Sequence, residues 1–90
     1  MYNFERSDKL IKILKKLFKK DKRRYEATLN KINEVISSDD PNHYKNLKRP
    51  LQHLKRVHVD KSFVLVFSVD ETKNTVIIED YDHHDNIYKK

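Results

Sequence analysis

The 90-residue chain has no cysteine and no glycine, and its only prolines are Pro41 and Pro50. Without cysteine it can build no disulfide framework, no thiolate zinc site and no cysteine nucleophile. Without glycine it cannot form the Gly-rich phosphate loops of P-loop or dinucleotide-binding proteins. Long apolar runs are missing too. The longest, Phe63 to Phe67, is far short of the roughly 20 residues that span a bilayer. The N-terminal stretch Met1 to Arg6 has no apolar core of the signal-peptide kind. The cytoplasm is therefore the expected location, with no membrane partner. Negative charge is in deficit: 14 acidic residues face 20 Lys and Arg, for a net charge of +6. An excess of that size favours an anionic partner such as nucleic acid, an acidic protein or a lipid surface.

The composition, 37% hydrophobic and 38% charged, would suit a disordered chain. The apolar residues nevertheless fall in periodic blocks, which indicates folding. No linker or internal repeat divides the sequence, so one domain over residues 1–90 is expected. At this length folding buries roughly 60–65% of the unfolded surface, enough for one small core. Tyr2 to Phe4 reads as a short first strand. Ser7 is a helix N-cap, with Asp8 in the first turn. Leu10, Ile11, Ile13, Leu14, Leu17 and Phe18 follow on one helical face. Asp21 is a second N-cap, followed by a stripe of Tyr25, Leu29, Ile32, Val35 and Ile36. The two helices form an antiparallel hairpin, ended by turn residues Ser37 to Asn42. Three strands follow: Leu54 to Val59, Phe63 to Val69 after a short turn, and Val76 to Tyr81 after the hairpin turn Asp70 to Asn74. The expected fold class is α+β, a helical hairpin on one face of a sheet that ends in a three-strand antiparallel meander.

Cations dominate two regions. Lys9, Lys12, Lys15, Lys16, Lys19, Lys20, Lys22, Arg23 and Arg24 crowd the hairpin, and they read either as a solvated face or as a phosphate-binding one. The second region is the loop bearing His43, Lys45, Lys48 and Arg49, which runs into the strand Leu54 to Val59. Alternation sets Lys55, Val57 and Val59 on one face of that strand and Arg56 and His58 on the other. A histidine pair, His83 and His84, follows the last strand.

Histidine titrates near neutrality and suits proton transfer. His58 and His84, at the ends of neighbouring strands among cations, could share the acid and base roles of RNA cleavage. Arg56, Lys55, Lys45, Lys48 and Arg49 are candidate phosphate ligands. Tyr88 and Phe63 are candidate surfaces for a base. His83 reads as a surface residue. Asp82, His83, His84 and Asp85 are metal-type donors, but the usual His-x-x-x-His and cysteine spacings of zinc sites are lacking. No metal and no other cofactor is expected.

The ordered set Leu47-Lys48-x-x-Leu51, Leu54-Lys55-Arg56-Val57-His58-Val59, Phe63-Val64-Leu65-Val66-Phe67 and His84 four residues before Tyr88 resembles the RelE/ParE toxin superfamily. It is most similar to the YafQ-like branch of messenger-RNA-cleaving toxins. The resemblance spans nearly the whole chain and implies a β-α-α-β-β-β fold. It implies a toxin of a type II toxin–antitoxin module that cuts messenger RNA in the ribosomal A site without a metal, by attack of the 2′-OH on the phosphate. It also implies a cognate RelB-like antitoxin in a hetero-oligomeric complex. In YafQ-like members, histidines at the positions of His58 and His84 take part in the chemistry, and an aromatic at the position of Tyr88 helps place substrate. Ser62 stands where those members carry a catalytic aspartate, Phe63 where they carry tryptophan, and Lys45 where they carry a loop histidine. Val64 stands where many other members carry arginine. A ParE-like inhibitor of DNA gyrase and a catalytically weak RNA-binding relative remain open alternatives.

Overall fold

The computed structural model describes residues 2–88. β1 (Asn3–Arg6) leads into α1 (Asp8–Lys20) and α2 (Lys22–Ile36). A single 3-10 turn at Pro41–His43 follows, and then β2 (Lys55–Val59), β3 (Phe63–Asp70), β4 (Thr75–His83) and α3 (His84–Tyr88). The strand order is β1-β4-β3-β2. The meander β2-β3-β4 is antiparallel, as the sequence predicts. β1 starts one residue and ends two residues later than expected, and it pairs in parallel with β4, so the sheet is mixed. The segment after Tyr81, expected to have little periodicity, extends β4 to His83 and then turns into α3. Its last two residues, 89 and 90, lie outside the described ones.

The helices begin where cap chemistry dictates. Ser7 Oγ accepts the Leu10 amide at 3.0 Å and donates to the Glu79 carbonyl at 2.7 Å, so the cap also ties α1 to β4. Asp21 ends α1 and starts α2. Its amide donates to the Leu17 carbonyl at 2.8 Å, and its carboxylate accepts from the Arg24 amide at 3.0 Å. A one-residue connection requires a residue able to do both, and aspartate can. In a chain without glycine, the left-handed positions of the sheet turns go to Asp60 (φ 66°) and Asn74 (φ 52°). Asp and Asn are the residue types that tolerate that region best after glycine.

Leu10, Leu14, Ile32, Val35 and Ile36 of the helices pack on Val59, Leu65, Phe67, Val76, Ile78 and Tyr81 of the sheet. Phe18 and Leu29, expected on the apolar stripes, are exposed. The Phe18 ring instead meets the edge of Tyr25 at 5.1 Å, under the Lys22 ammonium. A second, smaller cluster occupies the opposite sheet face: Leu47, Val64, Val66 and Ile87, flanked by Leu51 and Leu54. That cluster seats both the loop before β2 and the short helix α3, the two segments that frame the candidate site.

Burial pushes the Tyr81 phenol above its ordinary pKa of 10.0, partly offset by Thr28 and Arg24 beside it. The unfolded chain therefore releases this proton first as pH rises past about 10, and stability falls over that range. Tyr81→Phe is expected to flatten the alkaline fall in urea midpoint between pH 9 and 11 without changing stability at pH 7 by more than about 1 kcal/mol.

Candidate active site

The outer face of β2 and the loop before it form one side of a cavity of about 710 Å³. Asn46, Leu47, Lys48, Arg49, Leu51, Arg56, His58, Ile87 and Tyr88 line it. Strand alternation explains the placement. Arg56 and His58 pair across to Val66 and Val64, which put their side chains into the outer cluster, away from the helices. Two cations of the loop, one of the strand and an exposed imidazole therefore share a concave surface with an apolar floor. Such a floor lowers the local dielectric and strengthens the pull of each cation on an anion.

The loop owes its shape to Lys55, which is 8% exposed. Its ammonium donates to the carbonyls of Asn42 (3.1 Å) and Tyr44 (3.2 Å) and to the Asn46 side-chain oxygen (3.1 Å). The Asn46 amide group donates onward to the Gln52 carbonyl at 2.7 Å. Backbone bonds from Leu47 to Leu54 (2.8 Å) and from Arg56 to Lys45 (2.9 Å) finish the clasp. An ammonium has three donors, and all three are used here. Lys55 thus faces the helix side of β2 and holds the loop. The expectation that it contacts phosphate is corrected, because neither a free N–H nor a path to the cavity remains. Lys55→Met would leave those acceptors unmatched. The expected result is a loss of about 1–3 kcal/mol in stability and faster hydrogen exchange at the Leu47 and Arg56 amides.

Tyr88 is 47% exposed on the last turn of α3, with the Arg56 guanidinium 5.6 Å over its ring. The buried Ile87 anchors α3 to the outer cluster, which leaves Tyr88 free to face the cavity. His84 does not line the cavity. β3 lies between the strand of His58 and β4, which leads into His84, so the two histidines do not end neighbouring strands as expected. The His84 ring centroid lies 6.3 Å from that of Tyr88, and its amide donates to the Ser62 carbonyl at 2.9 Å. His83 stacks on His84 at 4.5 Å, and Phe63 meets His83 edge-on at 5.6 Å. A file of rings thus runs Phe63, His83, His84, Tyr88, ending under Arg56.

Phe63 itself packs toward the helices. The Arg24 guanidinium lies 4.2 Å above its ring, and Tyr81 stacks against it at 5.3 Å. It is a packed member of the helix-side core and does not face the cavity, which corrects its expected role as a base platform. Lys45 is exposed and also lies outside the lining. The structure therefore brings Lys48, Arg49, Arg56, His58 and Tyr88 together. Sequence reasoning did not single out Asn46 and Ile87, and it used Leu47 and Leu51 for the resemblance without placing them in the lining, because an aperiodic loop and a one-turn helix give no periodicity from which to read their fold. It also left His83 aside as a surface residue and missed how closely the donors of His83, His84 and Asp85 gather, all within 4.8 Å of one another.

No protein-family model matches the chain. A candidate toxin of Methanocaldococcus jannaschii, RelE4, is 58% identical over 90 residues, covering 100% of this chain and 94% of that protein. The chain belongs to the RelE toxin family. An uncharacterised protein of Methanosarcina mazei is 51% identical over 88 residues, 98% of this chain and 100% of its own length. Among solved structures, the intact E. coli RelBE toxin–antitoxin complex contains a chain that matches with a TM-score of 0.72 and 20% identity, over 92% of this toxin and 96% of that chain. A metal-bound toxin from Helicobacter pylori matches at 0.76 and 23%, over 97% and 99%. These two share the RelE fold. Among the described residues no helix is long and apolar enough to cross a membrane.

Proposed function

We propose that this RelE-family toxin is a ribosome-dependent endoribonuclease, held silent by a RelB-like antitoxin. The observation that carries the reading is the shared cavity: His58 stands beside Arg56, Lys48 and Arg49, with Tyr88 as its aromatic wall. Metal-free RNA cleavage needs a base for the 2′-OH, cations for the charged phosphorane and an acid for the 5′-oxygen. His58 and His84 supply the acid and the base. Arg56, Lys48 and Arg49 hold the phosphate, and a fork of guanidinium donors suits its oxygens. Tyr88 takes a base on its exposed face, a stacking contact worth about 1–3 kcal/mol. Lys45 is exposed outside the lining, on the same loop, and can meet the backbone of the same RNA.

The antitoxin follows from charge and fold together. A chain of net charge +6, with Lys12, Lys15, Lys16, Lys19, Lys20, Lys22 and Arg23 all exposed on the hairpin, calls for acidic coverage. Members of this fold are found in complexes of the RelBE kind. The pair is a hetero-oligomer of the cytoplasm, where ribosomes and message are met.

Primer extension on messenger RNA translated with purified toxin tests the reading. Cuts within A-site codons that need ribosomes are expected. A folded toxin that cuts nothing, with or without ribosomes, would remove the nuclease and leave a binding toxin.

A further inference from the structure

We propose that His83, His84 and Asp85 form a binding site for a divalent transition-metal ion of the zinc class, and that the bound ion withdraws His84 from RNA. The inhibitory half rests on the role given to His84 above, whereas the binding half rests on geometry alone. An Asp85 carboxylate oxygen lies 3.0 Å from His84 Nδ1, and the other lies 3.6 Å from His83 Nδ1. A tetrahedral ion with bonds of about 2.0–2.1 Å sets neighbouring donors about 3.3 Å apart. Each imidazole therefore already lies near one coordination edge from an Asp85 oxygen, His84 from one oxygen and His83 from the other, and one ligand atom from each of the three residues falls within 4.8 Å of the rest before any ion arrives.

The convergence comes from a corner in the chain. Along a continuing strand, residues 83 and 84 would point to opposite faces. β4 ends at His83 and α3 begins at His84, so both imidazoles swing to one side and stack at 4.5 Å, inclined by 29°. The corner is fixed by three bonds that do not use the donors. His84 N–H binds the Ser62 carbonyl (2.9 Å), and the Asp82 carboxylate accepts from the His83 amide (2.7 Å) and the Asn86 side chain (3.1 Å). The Asp85 amide donates to His83 Nδ1 at 3.2 Å, so that nitrogen presents a lone pair, the form a metal requires. An incoming ion takes over that lone pair and releases one long hydrogen bond.

Donor chemistry sets the class of ion. Two imidazoles with one carboxylate suit zinc, nickel or copper and serve magnesium and calcium poorly. The chain has no thiolate to compete. Among the described residues this trio is the one place where three such donors gather. Side-chain exposures of 37%, 39% and 63% leave the remaining coordination positions to water. An ion held here occupies a nitrogen of His84, adds positive charge beside it and fixes its ring against His83. Proton transfer through that imidazole then stops.

The test uses full-length toxin stripped with a chelator. Zinc chloride is titrated in, followed by calorimetry and by the imidazole carbon–proton NMR resonances, with magnesium chloride as the control. A single saturable zinc site is expected, with the His83 and His84 resonances moving together, and magnesium moving neither. His83→Ala or Asp85→Asn is expected to weaken binding about tenfold or more. Both changes lie on half-exposed side chains outside the core, so the fold is retained. Unchanged zinc affinity in the variant combining His83→Ala with Asp85→Asn, or resonance shifts at His43, His53 or His58 instead, would overturn the site. In the cleavage assay, zinc is expected to silence wild type and to spare His83→Ala. Zinc that binds the trio and leaves cutting intact overturns the inhibitory half. Absence of cutting in zinc-free buffer is a failure of the nuclease reading and is distinguishable from either.

Discussion

His84→Ala and His58→Ala each lower message cleavage by about two to four orders of magnitude, the range one positioned acid or base supplies, while the toxin stays folded. Neither side chain belongs to a buried cluster. His58 is exposed on the outer face of β2, and the His84 side chain is 39% exposed at the start of α3. Their removal therefore opens no cavity in the core, and the urea midpoint is expected to move by less than about 0.5 kcal/mol in stability. The double variant should be scarcely slower than the worse single one, because residues acting on one transition state are not additive. Primer extension at limiting toxin, with circular dichroism of each variant beside it, measures both sides. Loss of cutting together with loss of fold would carry no information on mechanism. Loss of cutting from intact protein assigns the proton transfers. Undiminished cutting by both single variants would move the chemistry to the cations Arg56, Lys48 and Arg49, and the paired-histidine mechanism would be abandoned.

Much of the fold could be read in advance, since helices and antiparallel meanders leave local signals. Ser7 and Asp21 announce the helix starts, and period 3.6 locates the buried Leu10, Leu14, Ile32 and Val35. The alternation in Lys55 to Val59 separates Arg56 and His58 from Val57 and Val59, and that alone places two of the nine residues that line the cavity. What stayed hidden is non-local. β1 is set by a parallel edge on β4, joined through Ser7 and Glu79, which are 72 residues apart. The register of β4 slips between Val66 and Phe67, where Glu79 is left over, and no period-2 pattern foretells a bulge. Lys55 misled because a lysine next to Arg56 looks like part of a cationic patch. Its burial depends on a loop whose carbonyls must turn inward to meet it. Phe63 misled for the opposite reason, since Arg24, from a distant helix, covers the ring that sequence leaves open. The donor trio at His83 to Asp85 was invisible to motif spacing, which presumes one continuous helix or two fixed pairs. Here a strand meets a helix between the two histidines.

The largest stability effect is expected at Phe67, where substitution by alanine should cost about 3–5 kcal/mol. The ring is fully buried at the centre of β3. It packs with the helix-side core and meets the Tyr44 ring edge-on at 5.5 Å, with Lys55 opposite on β2. A chain of this size holds roughly 5–13 kcal/mol in all, at about 0.05–0.15 kcal/mol per residue. The substitution therefore removes between a quarter and all of it. Surrounding strands cannot collapse into the space, because Leu65, Val76 and Ile78 are held in the ladder on either side. Tyr44 meets the ring from a loop, and it is expected to sink toward the gap. That movement would drag the carbonyl on which Lys55 rests and loosen the segment carrying Lys48 and Arg49. Phe67→Ala is thus expected to lose cleavage at temperatures where circular dichroism still reports a native sheet, whereas Leu29→Ala, at an exposed helix position, changes neither. Urea midpoints with matched cleavage assays across temperature separate the two. Coincident loss of fold and cleavage would mean that the loop rests on Lys55 alone and takes no support from the ring beneath it.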